Sequence, residues 1–343
     1  MNWQVLKYSP AEVKRAGKLI RDPNCSAEDY FSSVLVLDNW RAAHAYPLHV
    51  IYVNLRRHAK NFPETIVAER LKRLDSIVRK LDRFQNMSLW TMQDLGGCRV
   101  IVPTMRQLYK IASDYEHSRI LHFKKYEDDY LVHPKSSGYR SLHQVYQYHS
   151  DTSEVYNNNM LIEVQFRTHL QHSWATAVET LGLFTNQSIK SGQCDDETNR
   201  FFALVSSLFA NEERSIAVPN TPNNVDETIK EIRELNQSGH YLAKLRAINV
   251  AANHIPTKST EDIGYVILNV SLADRKLSMY YFKASEHSRA LDYYQAIESR
   301  RSREKTDAVL VRTSSIRALK LAYPNYFADN SIFLDKVDKF LML

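Results

Sequence analysis

The sequence MLIEVQFRTHLQHSWA, residues 160–175, predicts a strand and the start of a helix. Residues 160–167 alternate between apolar and polar side chains, which predicts a strand, and residues 168–188 favour a helix. One face of this strand carries Met160, Ile162, Val164 and Phe166, and the other carries Glu163, Gln165 and Arg167. Burying such a polar face costs free energy unless its groups find partners, so it either lines a cleft or lies in water at the edge of a sheet.

A second informative stretch is MQDLGGCRVIV, residues 92–102. Residues 98–102 predict a short buried strand, and Asp94 stands just before it. The two glycines between them would let backbone approach a ligand closely. The same pattern also fits an ordinary turn carboxylate that leads into a core strand.

A third stretch, YLVHPKSSGYRSLHQ, covers residues 130–144 and ends in a predicted strand over 141–148. Its proline, serines and glycine predict a loop. Lys135 and Arg140 have side chains that can hold phosphates, and Tyr139 can stack on a base. The alternative is a polar surface loop whose tyrosine is pinned to the core.

Composition excludes several classes of protein. The chain has 343 residues but only 8 glycines, with no Gly-x-Gly and no P-loop, so phosphates must be held by side chains. The net charge of +6 suits an anionic partner. The 3 cysteines form no Cys-x-x-Cys pair, which argues against zinc and fits the cytoplasm. No apolar run approaches the roughly 18 residues of a membrane span, so we expect no membrane partner.

The predicted elements indicate an α+β chain with two domains. Residues 8–83 favour helices, the first starting at Ser9, Pro10 and Glu12, and the apolar spacing predicts core positions at Val67, Leu71, Leu74, Val78 and Leu81. Helices are also predicted over 106–117 and 195–214.

The sequence AVPNTPNN, residues 217–224, predicts a linker between domains at 1–216 and 225–343. The second domain is predicted to contain a helical segment (225–250), a hairpin (265–282, turning near 273–275), a basic helix (285–303), a strand (308–312) and two short helices.

Together these stretches resemble the synthetase domain of the RelA/SpoT alarmone synthetase family over residues 50–214. The matching positions are Arg70, Lys72, Ser76 and Lys80; Asp94; Pro134, Lys135, Gly138, Tyr139, Ser141 and His143; Glu163, Gln165, Arg167 and Thr168; and Gln171, His172, Trp174 and Ala175. The resemblance implies a nucleotidyltransferase-like mixed β-sheet flanked by helices. Long members carry a hydrolase domain with a His-Asp pair, which this sequence lacks, so the chain resembles a small member that only synthesises.

The resemblance also implies an activity, a pyrophosphokinase that moves the β,γ-pyrophosphate of ATP to a ribose 3′-hydroxyl. Asp94 and Glu163 would be the catalytic residues and would hold Mg²⁺, with Glu163 also acting as the base. The ATP-binding residues would be Arg70, Lys72, Ser76, Lys80 and Arg99. The acceptor would be bound by Lys135, Tyr139, His143, Gln165, Arg167 and His172, with Tyr139 stacking on its base.

The order of domains resembles the fused toxin–antitoxin members called CapRel. In these, a smaller C-terminal α/β domain, a pseudo-zinc-finger, inhibits the synthetase through a Tyr-x-x-Tyr motif, which matches Tyr323 and Tyr326 here. The resemblance implies tRNA as the acceptor, at its 3′-CCA end, and a phage protein such as a capsid component as the activator. The enzyme, released from inhibition when a phage infects the cell, would then block translation.

Other interpretations stay open from the sequence. The chain also fits a small synthetase that makes (p)ppGpp or (p)ppApp for stress signalling, or a non-catalytic nucleotide-binding regulator, against which the Asp94 and Glu163 pair argues. Tyr323 and Tyr326 also fit ordinary core packing. The basic helix over 285–305 fits contact with tRNA, contact with an activator, or a solvated face.

Overall fold

The computed structural model describes residues 3–157, 159–185, 195–252, 264–271, 276–304, 306–312, 319 and 329–342. Its helices are α1 (Pro10–Ile20), α2 (Ala27–Ala43), α3 (Ala45–Ala59), α4 (Leu74–Arg83), α5 (Met105–Glu116), α6 (His169–Thr185), α7 (Asp196–Glu212), α8 (Val225–Gly239), α9 (Tyr241–Ala252), α10 (His287–Glu304) and α11 (Ser331–Met342). Its strands are β1 (Ile66–Leu71), β2 (Gly96–Val102), β3 (Phe123–Asp129), β4 (Leu142–Gln147), β5 (Leu161–Thr168), β6 (Tyr265–Ser271), β7 (Lys276–Phe282) and β8 (Thr306–Arg312).

These strands form one mixed sheet of 8 strands in the order β3-β4-β5-β2-β1-β8-β6-β7. Strands β2 and β5 run parallel, and every other neighbouring pair is antiparallel. Helices flank the sheet, so the predicted α+β class with a mixed sheet is confirmed. The strands predicted around residues 98–102, 141–148, 160–167 and 308–312 and the hairpin strands within 265–282 are all present.

The prediction of mostly helical structure over residues 8–83 is wrong for residues 66–71, which form β1. This segment fits between β2 and β8, where Val67 pairs with Val100 and Glu69 pairs with Arg312. Leu71 is the last residue of β1 and Leu74 is the first residue of α4. Because apolar residues of these two elements stand at helical spacing along the chain, the spacing alone does not reveal the strand. Only the part of the pattern within α4 is helical, and there Leu81 is fully buried.

Strand β3 was not predicted at all. Its sequence, FKKYEDD, has no apolar alternation, and six of its seven residues are exposed. Within the sheet it lies at an edge and pairs with β4 alone. An edge strand exposed on both sides carries little of the hydrophobic pattern on which strand prediction depends.

The first helix begins as its sequence predicts. Ser9 accepts a hydrogen bond from the Glu12 backbone N–H, the Glu12 carboxylate accepts one from the Ser9 N–H, and Pro10 occupies the first turn. This reciprocal capping satisfies backbone donors that a helix start otherwise leaves unpaired.

Two cores cover the site-bearing part of the sheet. The first packs α3 and α5 against one face of β1, β2, β4 and β5, and includes Val100, Ile162, Val164 and Phe166. The second, which we call the helical core, joins α6, α7, α8, α9 and α11 with Tyr139. In it Phe333 of α11 lies with its ring centroid 6.0 Å from that of Phe202 and 5.8 Å from that of Phe209.

The chain on either side of residues 217–224 shares both the sheet and the helical core. Strand β8 pairs with β1, and α11 packs against α6. The segment 217–224 is a loop anchored by hydrogen bonds, in which the Val218 N–H donates to Ser207 Oγ at 2.9 Å and Asn224 caps α8. The two-domain division remains a prediction, and any such division has to accommodate this shared sheet and core.

The C-terminal strands form an antiparallel extension, β8-β6-β7, which α10 covers. The described residues do not show the expected pseudo-zinc-finger. The hairpin turn near 273–275 and the first of the two short C-terminal helices lie outside the described residues. None of the helices in the described part of the chain combines the length and the apolar composition that crossing a bilayer requires.

Candidate functional site

The site lies on the sheet face that does not pack against α3 and α5. Alternation along β5 sends Val164 and Phe166 into the core and Glu163, Gln165 and Arg167 to the other face, as the sequence predicts. The parallel register sets Gly97 of β2 opposite Glu163. Asp94 lies two residues before the start of β2, so the two predicted catalytic carboxylates come from the segment that leads into β2 and from the neighbouring strand β5.

Glu163 belongs to a closed ring of hydrogen bonds. Its Oε1 lies 2.9 Å from His143 Nδ1, and its Oε2 accepts from Gln165 Nε2 at 2.6 Å. His143 Nε2 lies 2.7 Å from Tyr139 Oη, and Arg167 Nη2 donates both to that oxygen at 2.6 Å and to Gln165 Oε1 at 3.0 Å. Each member is thus held by two others, which fixes the direction of the Glu163 carboxylate.

The charges in this ring reinforce each other. Burial alone would raise the pKa of Glu163, but the ion pair and hydrogen bond with His143 hold that pKa well below its usual range. Burial disfavours the His143 imidazolium, yet Tyr139 and Glu163 raise the pKa of His143 to about 9. At neutral pH the pair is therefore carboxylate and imidazolium, with the imidazolium donating from both nitrogens.

Asp94 is held by two lysines. Lys72 Nζ donates to Asp94 Oδ2 at 2.7 Å, and Lys80 Nζ lies 2.9 Å from Oδ1. Burial opposes ionisation, but the two ammonium groups outweigh it and lower the pKa of Asp94, while Glu163 acts in the opposite sense. Lys80 in turn lowers the pKa of Glu163. Asp94, Glu163 and Lys80 therefore interact electrostatically with one another, and Lys72 interacts with Asp94 and Lys80.

The remaining predicted ATP-binding residues lie on β1, β2 and α4. Arg70 pairs with Gly97 in the β1–β2 register, and Arg99, which is 8% exposed, lies two residues further along β2 on the same face. Ser76 lies half-buried in the first turn of α4, between Lys72 and Lys80 along the chain. The side chains of Lys72, Lys80, Asp94 and Glu163 remain between 16% and 27% exposed, so the group is open to solvent on one side.

The predicted acceptor residues are placed in different ways. His143, Gln165 and Arg167 lie in the ring, Lys135 is exposed on the loop, and His172 is 6% exposed on α6. Tyr139 is only 4% exposed, because its ring packs into the helical core and its hydroxyl is held by His143 and Arg167. Almost no ring surface of Tyr139 is open to a base in this structure, and its stacking on a base stays a prediction.

Arg140 also differs from expectation. The sequence suggested a phosphate-binding arginine, but the side chain is 2% exposed and its Nη1 lies 2.9 Å from Glu213 Oε2 at the end of α7. Glu213 Oε2 also accepts from Gln171 Nε2 at 2.9 Å, and Oε1 accepts from Thr168 Oγ1. This buried cluster ties the loop to α6 and α7.

The glycines around the site differ in the space that surrounds them. A Cβ at Gly138, where φ is +91°, would lie 2.8 Å from Trp174 Cζ2, and one at Gly96 would lie 2.7 Å from Ile162 Cδ1. Both glycines therefore make room for protein packing and not for a ligand. At Gly97 the nearest atom to such a Cβ would be the Glu163 carbonyl oxygen at 3.9 Å, so the backbone beside Glu163 faces open space.

The donor set fits magnesium better than a metal that needs many protein ligands. The described residues hold no group of three or more His, Cys, Asp or Glu side chains arranged for a metal ion. Magnesium is often bound through one or two carboxylates together with substrate phosphates. Asp94 and Glu163 supply that number of carboxylates beside the open space at Gly97.

Two residues that the sequence motifs did not single out also lie here. Tyr130 is half-buried beside Tyr139 and His143, and Glu213 anchors Arg140. The sequence offers one signal for Tyr130, which is its aromatic side chain five positions before Lys135. Nothing in the sequence around Glu213 marks it. The predicted inhibitory residues Tyr323 and Tyr326 lie outside the described residues.

Part of this chain, including the site, is similar to known proteins. Residues 69–183 match the family model described as a region found in RelA / SpoT proteins. The GTP pyrophosphokinase of Haemophilus influenzae is 29% identical over 133 residues, which cover 39% of this chain and 16% of that protein. The GTP pyrophosphokinase YjbM of Bacillus subtilis is 31% identical over 121 residues, which cover 35% of this chain and 56% of that protein.

Among solved structures, the small alarmone synthetase 1 of Bacillus subtilis bound to its product pppGpp aligns with a TM-score of 0.42 at 22% identity, covering 50% of this chain and 90% of that chain. The chain therefore spans only 16% of the Haemophilus influenzae protein and 56% of YjbM. The family match itself contains Arg70, Lys72, Asp94, His143 and Glu163, the residues that the structure gathers on one face of the sheet. Residues 69–183 of this chain are therefore similar to the region found in RelA / SpoT proteins.

Proposed function

We propose that this chain is an ATP-dependent pyrophosphokinase, which transfers the β,γ-pyrophosphate of ATP to a ribose 3′-hydroxyl and releases AMP. One observation carries the proposal: Asp94 lies 2.7 Å from Lys72 and 2.9 Å from Lys80, and a second carboxylate, Glu163, interacts electrostatically with both Asp94 and Lys80. Phosphoryl chemistry needs this combination, since carboxylates bind a divalent cation and ammonium groups bind phosphate oxygens. The similarity to GTP pyrophosphokinases supports the same class of reaction.

ATP would bind through the cations around Asp94. Lys72 and Lys80 now neutralise Asp94, and the triphosphate would offer them further anionic partners. Arg70 and Arg99 would contact the phosphates or the adenine, because guanidinium groups bind oxygen pairs and stack on planar rings. Ser76 would donate its hydroxyl to the nucleotide from the first turn of α4.

Asp94 and Glu163 would hold magnesium. When bound, the ion would offset the negative charge that builds up on the transferred phosphates. Gly97 keeps the adjacent backbone clear, since a side chain there would enter the space beside Glu163.

Glu163 would receive the proton of the attacking hydroxyl. The acceptor oxygen forms a bond to the β-phosphorus, the bond between that phosphorus and the oxygen bridging to the α-phosphorus breaks, and AMP leaves with the bridging oxygen. The hydroxyl proton passes to Glu163. Because His143 keeps the pKa of Glu163 low, we expect this transfer to accompany bond formation and not to precede it.

The acceptor that we propose is the 3′-CCA end of tRNA, bound near Lys135, His143, Gln165, Arg167 and His172. Modification of that end would stop translation, and a protein that does so acts in the cytoplasm. The positive net charge of the chain favours a polyanionic acceptor.

We further propose that residues 225–343 act as an antitoxin domain on the synthetase domain, residues 1–216, in phage defence. Tyr323 and Tyr326 would block the ATP site until a phage protein, such as a capsid component, binds the C-terminal domain. The pairing of β8 with Glu69 and Arg70 supports the idea, because it brings the C-terminal part beside a predicted ATP ligand. Control of this kind requires the C-terminal domain to bind the closed state more tightly than the open state by a few kcal/mol of free energy.

The acceptor can be identified by incubating the protein with terminally labelled ATP and GDP, GTP or bulk tRNA, with and without a phage lysate. Label in tRNA that depends on the lysate supports the proposal. Label in GDP or GTP without the lysate would instead indicate a (p)ppGpp synthetase. The variants Tyr323→Ala and Tyr326→Ala should label tRNA without lysate; activity no higher than that of the parent would contradict the inhibitory role.

A further inference from the structure

Arg312 is the last residue of β8 and lies where the C-terminal strands meet β1. In the described part of the sheet, β8 pairs with β1 at two positions, Arg312 opposite Glu69 and Val311 opposite Arg70. Alternation along β1 places Glu69 on the face that packs against α3 and Arg70 on the face of the site. The C-terminal strands therefore meet β1 at a predicted ATP ligand and at the residue before it.

Glu69 is a buried carboxylate that needs a compensating cation. It is 6% exposed, and none of the described residues gives its Oε2 a hydrogen bond. Its Oε1 lies 4.0 Å from Arg312 Nε and 3.5 Å from His49 Nδ1. An arginine is always charged, whereas a histidine is charged only when it is protonated. Because a buried carboxylate that loses its partner is strongly destabilising, Arg312 is the group that holds Glu69 in place.

Arg312 is itself held in one orientation. Its Nη1 donates to Tyr265 Oη at 3.0 Å and lies 2.9 Å from His49 Nδ1. Its guanidinium carbon lies 5.3 Å from the ring centroid of Tyr265 on β6 and 5.8 Å from that of Tyr52 on α3. Groups on both sides of the boundary between β1 and β8 therefore fix the cation that faces Glu69.

The position of β1 matters because this strand leads straight into the group around Asp94. Arg70 follows Glu69 directly, and Lys72 follows the end of the strand. The Lys72 N–H donates to the Leu95 carbonyl oxygen at 2.8 Å, and its ammonium donates to Asp94 at 2.7 Å. A displacement of β1 at Glu69 would therefore move Arg70 and Lys72 together.

We propose that Arg312 is a positioning residue for ATP, which acts through Glu69 to hold β1 in place. Arg70 and Lys72 are then presented to the phosphates from a fixed strand. This inference rests on the proposed function and adds a second, supporting role for the C-terminal part. Strand β8 contributes to ATP binding, so it stays on β1 when the proposed inhibition is released.

The first test measures the Kd of a non-hydrolysable ATP analogue with Mg²⁺ by calorimetry, in the full chain carrying Tyr326→Ala so that the proposed inhibition is absent. Arg312→Met should raise this Kd by about 5- to 30-fold, as expected for a residue that acts on a site through others. Arg312→Lys keeps the cation and should restore most of the affinity. Arg289→Met is the matched control, because it removes an exposed ion pair on α10 and should leave the Kd unchanged.

A second test compares Arg312→Met with a double variant that also carries Glu69→Gln. Since the second substitution removes the buried charge itself, the double variant should bind the ATP analogue no more weakly than Arg312→Met alone. Additive losses in the double variant would show that Arg312 does not act through Glu69. Arg312→Gln keeps a donor for Tyr265 and covers the case in which Arg312→Met fails to fold.

Amide hydrogen exchange without nucleotide observes the strand itself and does not depend on the reaction. Residues 66–72 should exchange faster in Arg312→Met than in the parent, while α7 in the helical core keeps its protection. Equal exchange over residues 66–72, or an ATP analogue that binds Arg312→Met and Arg312→Gln as tightly as it binds the protein with Arg312, would overturn the inference. The proposed function fails separately, if the parent with phage lysate transfers no pyrophosphate from ATP to any acceptor.

Discussion

Lys72 Nζ lies 2.7 Å from Asp94 Oδ2, which brings a cation from the residue that follows β1 to a carboxylate that precedes β2. Burial is the main cause that lowers the pKa of Lys72, and Asp94 opposes it. The two groups therefore depend on each other for their charges. We expect the phosphates of ATP and a divalent ion to bind at this pair and at Lys80.

Replacing either lysine should weaken ATP binding. For Lys72→Met and Lys80→Met we expect KM for ATP to rise about 10- to 100-fold, because each substitution removes a charge-assisted hydrogen bond worth roughly 1.5–3 kcal/mol. Steady-state kinetics against ATP would measure this. Lys110→Met serves as the control, since Lys110 pairs with Asp114 on the exposed side of α5. A rise in KM no larger than that of the control would argue against a phosphate-binding role.

Replacement by alanine should affect stability at Gly138 and activity at Gly97. Gly138→Ala should lower the free energy of unfolding by roughly 1–3 kcal/mol, because the new Cβ meets Trp174 and φ at this position is +91°. Gly97→Ala should leave stability within about 0.5 kcal/mol but lower pyrophosphate transfer, since its Cβ enters the space beside Glu163. Chemical denaturation and an activity assay separate the two effects. Equal destabilisation by both substitutions would contradict the assignment of open space at Gly97.

The ion pair between Arg140 and Glu213 should be costly to break. Arg140→Met leaves the Glu213 carboxylate buried without its cation, and we expect a loss of about 3–5 kcal/mol of unfolding free energy. Arg246→Met breaks a pair whose side chains are 49% and 30% exposed, and should cost no more than about 1 kcal/mol. Urea denaturation of both variants tests the difference. Similar losses in the two would show that Arg140 does not fasten the loop to α7.

The His143–Glu163 pair predicts a defined dependence of stability on pH. The pKa of His143 is raised from 6.5 to about 9, so its contribution is complete below pH 6.5 and is lost as pH rises through 9. The pKa of Glu163 is lowered from 4.5, so its contribution is present above pH 4.5 and is lost as pH falls well below that value. The difference in unfolding free energy between the parent and His143→Gln should thus be largest between about pH 4.5 and 6.5. A difference that grows from pH 6.5 to 9 would contradict the charge assignment.

Sequence predicted where several candidate site residues lie in the sheet because strand alternation is a local property. Glu163, Gln165 and Arg167 share a face as their spacing requires, and Asp94 precedes a buried strand as predicted. Sequence could not show that Tyr139 and Arg140 would be buried, because their partners lie on α6 and α7, for example Glu213, 73 residues away from Arg140. It also missed β1, whose six residues form a strand only because β2 and β8 lie on either side.

We expect Glu163 to be required for the transfer of pyrophosphate from ATP. The most direct measurement incubates the protein and its Glu163→Gln variant with ATP, bulk tRNA and phage lysate, and quantifies AMP together with pyrophosphate gained by the acceptor. We predict one AMP for each acceptor modified, with the rate at least about 100-fold lower in Glu163→Gln, the lower end of what loss of a catalytic base costs. Formation of ADP without AMP, or equal rates of AMP formation in the two proteins, would contradict this role of Glu163.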